Sequence, residues 1–138
     1  MSASSELRQE AERPASPYEL LGGETGLRRL IDAFYRIMDE DPEAAGIRAM
    51  HAADLSPISQ SLFEWLSGWL GGPPLYIMRK GTPCLTGPHK AFAIGPAERD
   101  QWLYCMRRAL DEIGIDANLQ RMFEEPFFRI ADMVRNRE

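Results

Sequence analysis

Apolar residues recur at helical spacing over most of the chain. Leu27, Leu30, Ile31, Phe34 and Ile37 fall three and four apart, which gathers them on one face of a helix from Thr25 to Met38. Gly22 and Gly23 precede this helix. Asp41-Pro42 stops it, because the residue before a proline avoids the α region. A very short helix, Tyr18 to Leu21, is expected ahead of them. Ser56-Pro57 reads as the next start, a serine cap with proline at the first helical position. Leu62, Trp65, Leu66 and Trp69 form the stripe of that helix, and Gly71-Gly72-Pro73-Pro74 ends it. Prolines and glycines then recur at short intervals from Leu75 to Pro88, leaving room for a turn or two of helix. Gly95-Pro96 opens another long helix, with Glu98 and Asp100 in the first turn, where unpaired backbone N–H groups favour negative charge. Trp102, Cys105, Met106, Ala109, Leu110 and Ile113 form its buried stripe, and Gly114 its left-handed cap. The last helix runs from about Asp116 to Arg135 with Leu119, Met122, Phe123, Phe127, Ile130 and Val134 facing inward, and Pro126 is a candidate kink. No run alternates with period two, so no strand is predicted.

The pattern predicts an all-α domain of three or four substantial helices and one irregular segment that ends at His89. Long irregular stretches inside compact domains are usually functional. The chain has 138 residues, enough for one domain with its own core, expected at 17–138 behind a disordered polar leader at 1–16. The net charge of −5, from 16 basic and 21 acidic residues, argues against a nucleic-acid partner, which needs clustered positive charge. Arg28, Arg29, Arg107, Arg108, Arg135 and Arg137 come in pairs but lie among acidic residues, as solvated helix faces do. No apolar stretch approaches the ~20 residues that span a bilayer, and the N-terminus has no hydrophobic signal core, so no membrane partner is expected. Cys84 and Cys105 form no CxxC pair and read as reduced thiols of a cytoplasmic protein.

Candidate chemistry narrows to two histidines, His51 and His89. His89 follows Pro88 and precedes Phe92, Ile94 and the Gly95-Pro96 helix start. A neutral imidazole on such a turn, against apolar side chains, suits an axial ligand to a buried metal cofactor. Taken alone it is more often a capping or surface histidine. Cys84, Cys105, His51 and His89 match no zinc spacing. Asp39-Glu40-Asp41 lacks the glycine and terminal glutamate of a calcium loop. There is no G-x-G-x-x-G or G-x-S-x-G, and no nucleophile accompanies His51 and Asp54.

Together, Gly22-Gly23, Phe34-Tyr35, Met50-His51, Gly71-Gly72-Pro73, and His89 with Phe92, Ile94, Glu98-Arg99-Asp100 and Trp102 resemble the group II truncated haemoglobins. The resemblance covers Tyr18 to about Met133. It implies a shortened globin fold, a two-over-two helical sandwich around haem b (iron protoporphyrin IX), with a loop replacing most of the proximal helix. It further implies that His89 is the proximal iron ligand, and that Tyr35 and Trp102 reach the distal face as hydrogen-bond donors. An outward-facing Tyr35 and a core Trp102 bonded to a carbonyl are the alternatives. His51 stands at the edge of that pocket, either donating to ligand or holding Tyr35, or else remaining a loop histidine near Asp54. Phe34, Ile58, Leu62, Leu66, Phe92, Ile94 and Met106 are the expected apolar lining, and Tyr76, Arg79 and Lys80 the candidate propionate partners. The function implied is tight binding of dioxygen or another diatomic ligand, with dioxygen, nitric oxide or peroxide redox chemistry of a peroxidase-like or detoxifying kind. Turnover would need an external reductase. A monomer or homodimer is expected. A gas sensor or oxygen carrier without turnover, and a haem-free helical interaction module, are the competing readings.

Overall fold

The structure is a computed structural model in which residues 15–81 and 92–137 are described. Among them the elements are α1 (Pro17–Leu20), α2 (Gly23–Glu40), a 3-10 turn (Pro42–Ala44), α3 (Ala45–Ala49), α4 (Ser56–Trp69), α5 (Leu75–Lys80), α6 (Pro96–Glu112) and α7 (Ala117–Met133). The helix α2 packs on both α4 and α6, α7 packs on α6, and the short α5 packs on α4. The result is two pairs of long helices, α2 with α4 and α6 with α7, joined by the α2–α6 contact.

Local signals account for most boundaries. The Ser16 hydroxyl accepts the Glu19 N–H at 3.1 Å and caps α1. Gly22 and Gly23, with φ of +104° and +67°, make the left-handed turn into α2 that a side chain would strain. Gly95 caps α6, and the Glu98 carboxylate accepts the Gly95 N–H at 2.7 Å. Gly114, at φ +82°, follows the end of α6. The helix α7 starts on the Asp116 carboxylate, which accepts the Asn118 N–H, and it continues through Pro126.

Three expectations change. Ser56 is the first residue of α4, not its cap; Leu55 takes that place, and the Asp54 carboxylate accepts the Ser56 N–H at 3.0 Å. The Ser59 N–H, which a Ser56 cap would have served, donates instead to the Leu55 carbonyl at 2.9 Å, so the helix begins one residue earlier. The stretch after Asp41-Pro42 is also more helical than its proline suggests, forming the 3-10 turn and α3. The Asp41 side chain starts it by accepting the Glu43 N–H at 2.9 Å. Finally, Met122 is 61% exposed and Trp69 40% exposed, so neither completes the stripe its spacing suggested. The inward face of α7 is instead Phe123, Phe127, Ile130 and Ala131.

The core is built on Leu27, Leu30, Ile31, Phe34, Met38, Leu66, Cys105 and Met106, all with almost no exposure. Cys105 is a free thiol there, and Cys84 lies outside the described residues. Burial, seconded by the Asp41 carboxylate, pushes the Cys105 thiol from 9.0 up to about 11. The neutral thiol is therefore the form the fold prefers. That preference stabilises the fold below the ordinary value and is lost as pH rises from about 9 through 11. The stability of the parent chain should fall over that window more steeply than that of Cys105→Ala, as read by denaturant melts at each pH. Parallel curves would show that the thiol is not the group responsible. Among the described residues no helix is long and apolar enough to cross a membrane.

Candidate functional site

Phe34 is the pivot of the site. It is fully buried on α2, and its ring meets two neighbours edge-on: Tyr35 with centroids 4.8 Å apart and Trp102, from α6, at 5.3 Å. Tyr35 is only 6% exposed and therefore does not face outward. Successive helical residues lie ~100° apart, so Phe34 and Tyr35 can border the same interior from adjacent faces. Desolvation raises the Tyr35 phenol well above its ordinary value, which keeps it protonated and able to donate. Trp102 is half-buried between Phe34 and Phe127, the latter at 6.0 Å. Neither the Tyr35 hydroxyl nor the Trp102 indole N–H hydrogen-bonds to another described residue.

His51 sits 6.2 Å from Tyr35, ring to ring, and is half-buried. Its Nδ1 lies 2.8 Å from the Ile47 carbonyl. A carbonyl only accepts, so Nδ1 carries the proton and donates. In the neutral ring Nε2 is then an acceptor. Neutral His51 can hold a donor such as Tyr35 but cannot donate to a ligand. It bonds the Ile47 carbonyl and faces Tyr35, not Asp54, whose carboxylate is occupied at the start of α4.

Two residues that the sequence reading missed hold this corner. Arg48 pairs with Asp39 at 2.8 Å and donates to the carbonyls of His51, Ala52 and Ala53 at 3.4, 3.0 and 3.1 Å. It thereby staples the loop carrying His51 to the end of α2. Gln101, the neighbour of Trp102, accepts the Ile47 N–H at 2.8 Å and ties α3 to α6. Neither gives a sequence signal, because an arginine or glutamine on a helix looks like surface. Phe127 is the third omission in role: it was assigned to core, yet it links Trp102 to Trp69, with Trp65 stacked beyond at 5.7 Å. Its four-residue spacing from Phe123 was the available signal.

The expected lining divides. Phe34, Leu66, Met106 and Ile94 are buried, whereas Ile58 and Phe92 are each 41% exposed and Leu62 is half-buried. Phe92, exposed like Ile77 of α5, directly follows residues 82–91 in the chain. His89 lies outside the described residues. Tyr76 is half-buried beside Glu64, Trp65 and Trp69, and the Lys80 side chain lies outside the described set. Arg79, one of the expected propionate partners, meets Glu64 on α4 with contacts of 2.6, 2.7 and 2.9 Å. Glu64 is 6% exposed and also accepts from Gln60 at 3.0 Å. A carboxylate so buried is costly unless paired, and Arg79 supplies the pairing.

Residues 16–136 match the model of the bacterial-like globin family. The chain is 33% identical over 105 residues to the group 2 truncated hemoglobin YjbI of Bacillus subtilis, covering 76% of each protein. Among solved structures it is similar to the group II 2-on-2 hemoglobin of Agrobacterium tumefaciens, with a TM-score of 0.86, 43% identity, and 92% of this chain and 98% of that one covered. It is similar as well to a truncated oxygen-avid haemoglobin from Bacillus subtilis, with a TM-score of 0.78, 31% identity, and coverage of 88% and 100%. The two helix pairs described above are thus the two-over-two arrangement, and the family implies haem binding and haem-based ligand binding. The chain is a bacterial-like globin of the group II truncated haemoglobins.

Proposed function

We propose that the chain binds haem b with His89 as the proximal ligand and uses Tyr35 and Trp102 as donors to a diatomic ligand, dioxygen first among them, on the opposite face. Haem supplies the iron that binds the ligand and exchanges electrons with it. The observation that carries the reading is the pair of donors: a buried phenol and a half-buried indole, arranged around Phe34 and not hydrogen-bonded to any described residue. No buried side-chain polar atom among the described residues lacks a partner, so these two donors are open to accessible space, where a ligand beside Phe34 can accept from them. The donor set fits haem, with apolar surface on Ile58, Leu62 and Phe92 to cover a macrocycle. Phe34, Leu66 and Met106 back that surface from the core. Neutral His51 is an alternative acceptor for the single Tyr35 hydroxyl proton and so competes with the ligand for it. The oxygen-avid relative is consistent with tight retention.

Retention of this kind suits redox chemistry on dioxygen, nitric oxide or peroxide better than delivery of oxygen, and an external cytoplasmic reductase would return the electrons. Titration of the purified chain with haem tests the cofactor. A Soret band saturating at one haem per chain, followed by slow oxygen release, is expected. No Soret band would sink the proposal, and fast release would favour a carrier.

A further inference from the structure

A row of aromatic rings leads from the candidate ligand site to the surface. Phe34 meets the Trp102 indole at 5.3 Å between centroids, and Phe127 meets Trp102 at 6.0 Å and Trp69 at 6.2 Å. Trp69 in turn stacks on Trp65 at 5.7 Å, with the two planes 18° apart. Phe127 is buried, whereas Trp69 is 40% exposed. An indole gives up an electron far more readily than a phenyl ring does. Phe127 is therefore the contact between two indoles rather than a stop of its own. Stacked indoles share the positive charge that a lost electron leaves behind, which makes the outer pair the easiest place along the row to oxidise.

A hollow of about 190 Å3 opens at that outer end, between α4 and α5, with Trp65, Trp69, Tyr76 and Ile77 in its walls and nearly all of its surface apolar. Glu64 also borders it, but its carboxylate is held by Arg79 and Gln60. The hollow thus offers ring faces and aliphatic carbon rather than free charge. An apolar cavity of ~150 Å3 admits a benzene ring, and indole faces favour stacking by another aromatic.

We propose that this hollow takes a small uncharged phenol and that Trp69 is the group that oxidises it, passing each electron through Phe127 to Trp102. The proposal rests on peroxide chemistry in the haem site described above. Hydrogen peroxide there takes up two electrons and two protons and leaves as two waters. Two phenols supply them in succession, each losing one electron and its hydroxyl proton to become a phenoxyl radical. Trp69 gives an electron inward, regains one from the phenol and ends each pass unchanged. Without a phenol, Trp69 itself supplies the two electrons, takes an oxygen from water and releases two protons.

The test uses the haem-loaded parent chain with Trp69→Phe, Trp69→Tyr and Trp102→Phe, hydrogen peroxide as oxidant and guaiacol as the phenol. At equal haem content, Trp69→Phe should lose most of the parent's guaiacol oxidation, because it keeps a ring against Phe127 but not one that oxidises readily. Trp69→Tyr restores an oxidisable ring and should recover much of the rate. With guaiacol left out, peptide mass spectrometry should find oxygen added to Trp69 in the parent, and little in Trp102→Phe or in the haem-free chain. Parent-rate guaiacol oxidation in Trp69→Phe would overturn the proposal. So would a Trp69→Tyr variant no better than Trp69→Phe, which would make packing the cause. Equal oxygen addition at Trp69 in the parent and in Trp102→Phe, or with and without haem, would overturn it as well, and the comparison with and without haem needs no variant to fold. A haem-loaded parent that consumes no peroxide would refute the peroxide chemistry itself, and the phenol site with it, before any variant is compared.

Discussion

Tyr35→Phe and Trp102→Phe should each release oxygen about ten- to a hundredfold faster than the parent chain. A hydrogen bond to a charged or strongly polarised partner is worth ~1.5–3 kcal/mol, and 1.4 kcal/mol is about a factor of ten. The Tyr35 substitution is the cleaner of the two. It removes one oxygen atom and leaves the edge-on contact with Phe34 in place. Trp102→Phe also alters packing against Phe34 and Phe127, so part of its effect will be steric. Carbon monoxide separates the two contributions. It takes on little charge when bound, so a polar effect should leave its release nearly unchanged, whereas a packing effect should move both gases. The two donors flank one ring, so the double variant should fall short of the product of the single effects. The measurement is stopped-flow oxygen release from the ferrous protein. Single variants that release oxygen at the parent rate would remove the basis for a polar pocket.

His89→Ala should abolish stoichiometric haem binding. Loss of a partner that merely orients a metal ligand costs ~10–100-fold, and loss of the ligand itself should cost at least that. Added imidazole should restore part of the Soret band, because a free ring can occupy the space the alanine leaves. His51→Ala is the control. It removes the only other imidazole, yet it should keep haem at parent affinity and alter oxygen release instead. Should His89→Ala keep the parent Soret band and His51→Ala lose it, the two histidines would exchange roles.

Helices were legible where periodicity and punctuation agreed. The stripe from Leu27 to Ile37, the Gly22-Gly23 turn, the Gly95-Pro96 start and the Gly114 stop each express a local constraint, backbone sterics or an apolar face, that needs no partner to be read. Position along a stripe was less reliable near its ends. Met122 and Trp69 have the spacing of core residues and the exposure of surface ones, since a neighbouring helix covers only part of a face. Polar fixtures were illegible. Glu64 is charged and so reads as surface, and Gln101, Arg48 and Asn136 carry no pattern. Their partners lie 15, 54, 9 and 42 residues away.

The candidate site divides along the same line. His89, Trp102, Tyr35 and His51 were named from residue type and spacing, through a family resemblance. Which donors point the same way could not be, because that depends on the packing of α2 against α6. His51 shows the difference most clearly. Its presence is a sequence fact, but its role turns on the Ile47 carbonyl 2.8 Å from Nδ1, which makes the neutral ring an acceptor. Sequence alone determined the helical class, the family and the chemical inventory of the site, since periodicity, glycine and proline placement and motif order are local properties of the chain. Only the tertiary structure decided that Phe34 unites Tyr35 with Trp102, that Arg79 serves Glu64, and that the Asn136 side chain bonds the backbone of Phe92 and Ile94. Those are contacts between distant segments, formed when burial leaves polar groups that must find partners.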